Sequence, residues 1–257
     1  MIHVQRRVRA LLAMSAMMMV GCSSAAEQAQ PPVLQALQGQ GMTDIKAFDA
    51  GISLKGFAGV IGDQPMAVYV TPDGNAIVGM RVDTKGHRLD EKTVARLTIK
   101  PMTDRVMKEL SEAAWVLDGK SDAPRIVYAF TDPNCPYCHD FWQAARPWVD
   151  AGKVQIRTLL VGVIREDSPN KAASILGAAD PSAALTKNEK TFSQGGIEPA
   201  KSISSAIQSK LVQNQMLMLS LGFQGTPGIV SSGADGKLIK LSGLPQDGKL
   251  EGLLGPR

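Results

Sequence analysis

The sequence predicts an α+β protein in two folded parts joined by helices. Three observations predict it. Between residues 33 and 88, short strand-like runs alternate with Pro/Gly turn signals, which reads as a small antiparallel sheet with one helix. Between residues 89 and 118, apolar residues recur at helical spacing. From Arg125 an apolar strand-like run leads into Cys135-Pro136-Tyr137-Cys138, and a helix-like run leaves it, with further helices and a closing hairpin downstream. A chain of 257 residues accommodates one large domain or two modest ones.

Residues 1–26 read as an export signal. Arg6, Arg7 and Arg9 precede an apolar core from Ala10 to Val20, shorter than the roughly 20 residues a membrane span needs. The arginines at 6 and 7 lack the rest of a twin-arginine motif. Two cleavage patterns are present: Met19-Val20-Gly21-Cys22 is lipobox-like and would make Cys22 a lipidation site, whereas Ser24-Ala25-Ala26 fits ordinary signal peptidase. Residues 27–32 are a tether.

Val33–Gln40 is a short helix stopped by Gly39 and Gly41. Asp44–Phe48, Ser53–Ile61, Met66–Thr71 and Ala76–Val82 read as strands, with turns at Thr71-Pro72-Asp73-Gly74 and Asp83-Thr84-Lys85-Gly86. Residues 27–88 thus form the N-terminal domain, and residues 89–118 a helical linker. Within the linker, Leu89–Leu97 carries Asp90 as N-cap, Pro101 is expected to interrupt, and Met102–Leu117 is expected to form a second helix. Residues 119–257 form the second domain. Arg125–Phe130 is its central strand, Pro136–Val149 the helix after the cysteines, and Val154–Gly162 a strand covered on both faces. A helical segment covers about residues 166–200, with helices over Lys171–Ala179 and Ser182–Gln194. Ser202–Gly222 is a long helix whose methionines fit core spacing; Ile229–Leu241 is a hairpin and Gln246–Leu254 the last helix.

Charge excludes little but is informative. The chain carries 28 Lys+Arg against 24 Asp+Glu, yet removal of Arg6, Arg7 and Arg9 with the signal leaves 25 against 24, a formal charge of about +1. That balance gives no support to a nucleic-acid partner. Three cysteines do not make a disulfide-stapled scaffold.

Cys135 and Cys138 lie at i and i+3, one helical face, where two thiols can close a disulfide. Cys135 stands where the helix begins, and free N–H groups and the helix dipole there favour a thiolate. Cys135 is therefore the candidate nucleophile, and Cys138, one turn further in and less exposed, the candidate resolving thiol. Zinc would need two more ligands, and only His87 and His139 lie beyond the signal. The expectation is no metal and no cofactor beyond the redox-active Cys135–Cys138 pair. Pro136 pre-organises the helix start, and Tyr137 is the aromatic placed to meet a substrate. Core packing is expected for at least two of Phe141, Trp142 and Trp148, and His139 is expected to be exposed. Gly225-Thr226-Pro227-Gly228 is either an ordinary turn or, beside a Cys-x-x-Cys unit, a cis-proline loop. In the second case the Thr226 backbone would pair with an extended client, and its hydroxyl would bond the Cys135 sulfur.

The strand, Cys-Pro-Tyr-Cys and helix resemble a thioredoxin-like active site. The wider strings Thr131-Asp132-Pro133-Asn134-Cys135-Pro136-Tyr137-Cys138, Ala144 to Asp150, Thr158 to Ile164, Trp115 to Lys120 and Gly243-Leu244-Pro245 resemble the DsbC/DsbG family of periplasmic thiol–disulfide isomerases, from about Gln35 to the C-terminus. The family's pattern has Lys at the position of His139, so His139 is a departure. The resemblance implies a thioredoxin-like catalytic domain with a helical insertion and a cystatin-like N-terminal dimerisation domain. It implies a homodimer that holds exported clients, reduces or reshuffles their non-native disulfides or cysteine sulfenic acids, and is kept reduced by a DsbD-type membrane reductase. A DsbA-type net oxidase and a chaperone-like binding module are the rival readings; the N-terminal arm weighs against the first, and a double cysteine variant tests the second.

Overall fold

The structure, a computed structural model, describes residues 30–51, 53–246 and 248–257. The export signal and Cys22 lie outside them.

Helix α1 (Pro32–Gly39) starts on a proline, which needs no donor there, and leads into a four-stranded antiparallel sheet. Its strands, in the order of the chain, are β1 (Met42–Phe48), β2 (Lys55–Ile61), β3 (Gln64–Val70) and β4 (Ala76–Val78). Strand period decides what each face buries. Phe57, Val68 and Val70 pack with Leu34 of α1, whereas Ala58, Ala67 and Tyr69 face the other way and pack with Val94. β4 is shorter than the Ala76–Val82 expected: Gly79, at φ +155°, makes the last bond to β3, from its N–H to the Ala67 carbonyl at 2.9 Å, and beyond it Val82 bridges to Arg88 instead.

Val94 belongs to α2 (Glu91–Glu112), a single helix of 22 residues. The expected break at Pro101 does not occur. A proline inside a helix costs about 3 kcal/mol, and α2 is buried on both sides of it. Val94 packs on the first sheet, Thr98, Met102 and Thr103 are buried around the proline, and Val106 and Leu110 enter the core of the second sheet. Asp90 sits at the N-cap position without a side-chain cap bond; its carboxylate is taken instead by Arg81 (2.7 Å to Nε) and by the Tyr69 hydroxyl (2.6 Å).

The second expected linker helix also ends early. Residues Trp115–Asp118 are a strand, β5, paired antiparallel with β7 (Val154–Leu160). Ala113 is already extended, and the bulky run that follows alternates half-buried and buried, which suits a sheet edge better than a helix turn. The second sheet has the order β5-β7-β6-β8-β9, with β6 at Arg125–Thr131, β8 at Gly228–Ser232 and β9 at Leu238–Ser242. β6 and β7 are parallel, joined by α3 (Pro136–Val149); the other pairs are antiparallel. On one face α3 and α7 (Lys249–Leu254) cover Val127, Ala129, Ile156 and Ile229; on the other α2 and α6 (Ser205–Ser220) cover Tyr128, Phe130, Leu159 and Val230. The insertion supplies α4 (Ser168–Leu176) and α5 (Pro181–Lys190), which form a third cluster with Val116, Leu160 and Leu211. Methionine follows its helical position: Met218 of α6 is in the core and Met216 is exposed.

Candidate active site

β6 ends at Thr131, and the loop 132–135 turns the chain into α3. That turn is held by a buried carboxylate. Asp132, 1 % exposed, accepts from the backbone N–H of Asn134 (2.8 Å), Val163 (2.6 Å) and Ile164 (2.9 Å) and from the Ser168 hydroxyl (2.7 Å). Asn134 is in turn tied to Ser168 and Asp167, and accepts from the Lys171 ammonium at 2.8 Å. A buried charge is tolerable only with such partners. The insertion is thus fastened to the loop that carries the first cysteine.

Cys135 is the N-cap of α3, in extended conformation, and its sulfur accepts from the Cys138 N–H at 3.3 Å. This is the place of a Ser or Asp cap, filled by sulfur, where an ionised side chain is favoured. The Thr226–Pro227 peptide bond is cis, and the Thr226 carbonyl lies 3.4 Å from Cys135 Sγ, accepting from the thiol. The Thr226 contact is therefore made by the backbone. Its hydroxyl oxygen is buried without a partner, free to turn towards the sulfur when that sulfur loses its proton.

The two thiols titrate far apart. The Cys138 thiol directed at Cys135, then the Thr226 side chain and the Cys138 N–H, outweigh burial and the opposing charge of Asp132, and bring Cys135 down to about 7. Burial, followed by the proximity of the Cys135 sulfur, pushes Cys138 far up. Residue exposure does not separate the pair as expected, at 2 % and 3 %. Depth does: Cys138 also lines a cavity of about 10 Å³ under α3, together with Glu189 and Trp142.

The remaining site residues fall in three groups. Pro136 opens α3, and Tyr137 is 60 % exposed beside the cysteines. Phe141 and Trp148 are core, with Trp148 Nε1 donating to the Gly255 carbonyl; Trp142 is half-buried under the Arg146 guanidinium, 4.2 Å from its ring. His139 is not the exposed side chain expected. It is stacked on Phe192 (4.5 Å between ring centroids), and its Nδ1 lies 2.9 Å from Glu189. The sequence does not single out Glu189: it sits in an Ala-, Ser- and Lys-rich stretch, and its only signal is the four-residue step from buried Leu185 on α5. Among the described residues no group of three or more His, Cys, Asp or Glu is placed to hold a metal ion.

Comparison with known proteins bears on this geometry. A model of the "Thioredoxin-like domain" family matches residues 117–255. The thiol:disulfide interchange protein DsbG of Pseudomonas aeruginosa is 41 % identical over 92 % of this chain and 93 % of its own length. The chain belongs to the DsbG family of thiol:disulfide interchange proteins. DsbG of Escherichia coli is 40 % identical over 90 % of the chain and 93 % of its own length. The catalytic domain of Proteus mirabilis ScsC shares the fold, with a TM-score of 0.51 at 21 % identity over 61 % of this chain and 96 % of that one. Within this DsbG-family chain the activity is thiol–disulfide exchange by a thioredoxin-like domain, and the N-terminal sheet and α2 lie within the stretch shared with both DsbG proteins. Among the described residues no helix is long and apolar enough to cross a membrane.

Proposed function

We propose that Cys135 is the attacking thiolate and Cys138 the resolving thiol of an exported isomerase and reductase. The observation that carries this is the placement of the first sulfur: Cys135 caps α3, meets the Cys138 N–H at 3.3 Å and lies 3.4 Å from the Thr226 carbonyl of the cis-proline loop, and the direction of the two pKa shifts agrees with it. At neutral pH about half of Cys135 is thiolate, while Cys138 stays protonated until needed. Cys135 attacks a non-native disulfide, or a cysteine sulfenic acid, on an exported client and forms a mixed disulfide. Release follows in one of two ways: another client thiol attacks, which reshuffles, or Cys138 attacks, which reduces the client and leaves Cys135 and Cys138 joined. A DsbD-type membrane reductase restores the dithiol.

The Thr226–Pro227 loop offers backbone groups to an extended client segment, with Pro136 and Tyr137 at the site's edge. Exposed Val163, Ile164 and Leu244 surround it, each next to an anchored backbone: Val163 and Ile164 donate to Asp132, and Gly243, before Leu244, donates to the Pro227 carbonyl at 2.8 Å. Such an apolar rim suits unfolded chains and supports a client-holding, chaperone-like role. The domains divide at about 27–88, 89–118 and 119–257, and the N-terminal domain forms a homodimer by pairing sheet edges across a two-fold axis. The protein works in the periplasm, either tethered through a lipid on Cys22 if the lipobox at 19–22 is cleaved, or soluble if cleavage follows Ser24-Ala25-Ala26.

Trapping tests this reading. A Cys138→Ala variant expressed in a Gram-negative periplasm accumulates clients bound covalently to Cys135. Clients with one cysteine indicate sulfenic-acid rescue, and clients with several disulfides indicate isomerisation. Capture that survives Cys135→Ala would refute the assignment.

A further inference from the structure

The exchange steps above leave one buried acid unused. Glu189, from α5 of the insertion, is 6 % exposed. Its carboxylate contacts His139 Nδ1 at 2.9 Å and Asn188 Nδ2 at 3.3 Å, and burial outweighs both in pushing its pKa up. Glu189 and Cys138 line the same cavity of about 10 Å³, with Thr131, Thr158 and Trp142. That volume is at the lower limit for one water molecule. The Trp142 Nε1 donor is buried and has no partner in the protein, which points to a polar guest rather than a dry void. Asp118 of β5 also lines the cavity and adds to the rise at Glu189, while its own carboxylate pairs with Arg146 of α3.

We propose that Glu189 accepts the Cys138 proton in the second exchange step, through one water held in this cavity, and returns it when Cys138 is reduced again. The proposal rests on Cys135 attacking first and Cys138 resolving. In the mixed disulfide, the Cys138 proton passes through the water to the Glu189 carboxylate. The freed Cys138 sulfur attacks Cys135 Sγ. The Cys135–Cys138 bond forms as the bond from Cys135 to the client sulfur breaks, and the client leaves as a thiolate that takes a proton from solvent. The protein dithiol is oxidised and the client disulfide reduced. Gln143 Nε2 donates to His139 Nε2 at 2.9 Å, so Nδ1 carries the hydrogen that faces Glu189, and His139 orients the carboxylate that receives the Cys138 proton. The cavity explains how a thiol shut off from bulk water can lose a proton on demand.

The test uses full-length reduced protein and glutathione disulfide, with acid quenching and intact-mass detection of the Cys135–glutathione adduct. Glu189→Gln keeps the size and one acceptor but takes up no proton. Its adduct is expected to form at a rate within about two-fold of wild type, and to decay about ten-fold or more slowly near pH 7, with the pH dependence of decay altered and partly restored in Glu189→Asp. Decay at the wild-type rate with the wild-type pH profile overturns the role of Glu189. If Glu189→Gln does not fold, wild-type protein in H₂O and D₂O decides: a solvent isotope slowing and a separate pH midpoint for decay support the proposal, and one shared profile for both steps overturns it. Failure of the wild-type adduct to form on Cys135 overturns the exchange reading itself instead.

Discussion

Replacing Cys138 by Ala does more than remove the resolving thiol, because that thiol is the largest cause of the low Cys135 pKa. In the wild type Cys135 titrates at about 7 against an ordinary value of 9.0, so about half is thiolate at pH 7. The variant keeps the residue-138 N–H, the Thr226 side chain and the helix dipole, but loses the thiol that hydrogen-bonds the anion. Loss of about one pKa unit moves the midpoint to about 8 and cuts the thiolate at pH 7 roughly five-fold, from about a half to about a tenth. Iodoacetamide alkylation of Cys135 between pH 5 and 10 reads this directly, since the rate follows the thiolate. The midpoint should rise and the plateau at high pH should stay within about two-fold. A variant midpoint unchanged or lower would refute the reasoning and leave the helix N-terminus and Thr226 as sufficient causes. The same shift has a practical side: trapping with Cys138→Ala is expected to be more efficient at pH 8 than at pH 6.

Three further outcomes are expected. Because folding lowers the Cys135 pKa, the reduced protein gains stability that is fully present above pH 9 and lost as pH falls through about 7; two units correspond to about 2.7 kcal/mol, which solvent at the mouth of the site reduces to roughly 1–2 kcal/mol, measurable by denaturant titration of reduced wild type against Cys135→Ala at pH 6 and 8.5. Asp132→Ala strands three backbone N–H groups and the Ser168 hydroxyl, each costing about 1 kcal/mol or more, so chemical denaturation should show a loss of at least about 3 kcal/mol; a loss under about 1 kcal/mol would mean water replaces the carboxylate. Gly162→Ala places a Cβ 2.6 Å from the Pro169 backbone, so the loop after β7 and α4 must separate, and Tm should fall by several degrees with slowed Cys135 alkylation, whereas an unchanged Tm would show that the two segments part freely.

Local chemistry was enough to read much of this chain. A strand of Arg125–Phe130, two thiols at i and i+3 and a proline-led helix define a redox site because each signal is short-range: strand propensity, helix spacing, cap position. The order of strands and helices after Ala123 followed for the same reason, since apolar period and turn residues are properties of neighbouring positions. What depends on partners distant in sequence was decided only by packing. Pro101 sits inside α2 because two sheets bury the helix on either side of it, and Trp115–Asp118 is a strand because β7 offers it an edge. Asp90 leaves its cap for Arg81 and Tyr69, and His139 is drawn against Glu189, 50 residues away. A sequence can state that a cysteine begins a helix. Whether its sulfur meets the Thr226 carbonyl, and whether a buried acid waits behind its partner, depends on chain segments that only the folded structure brings together.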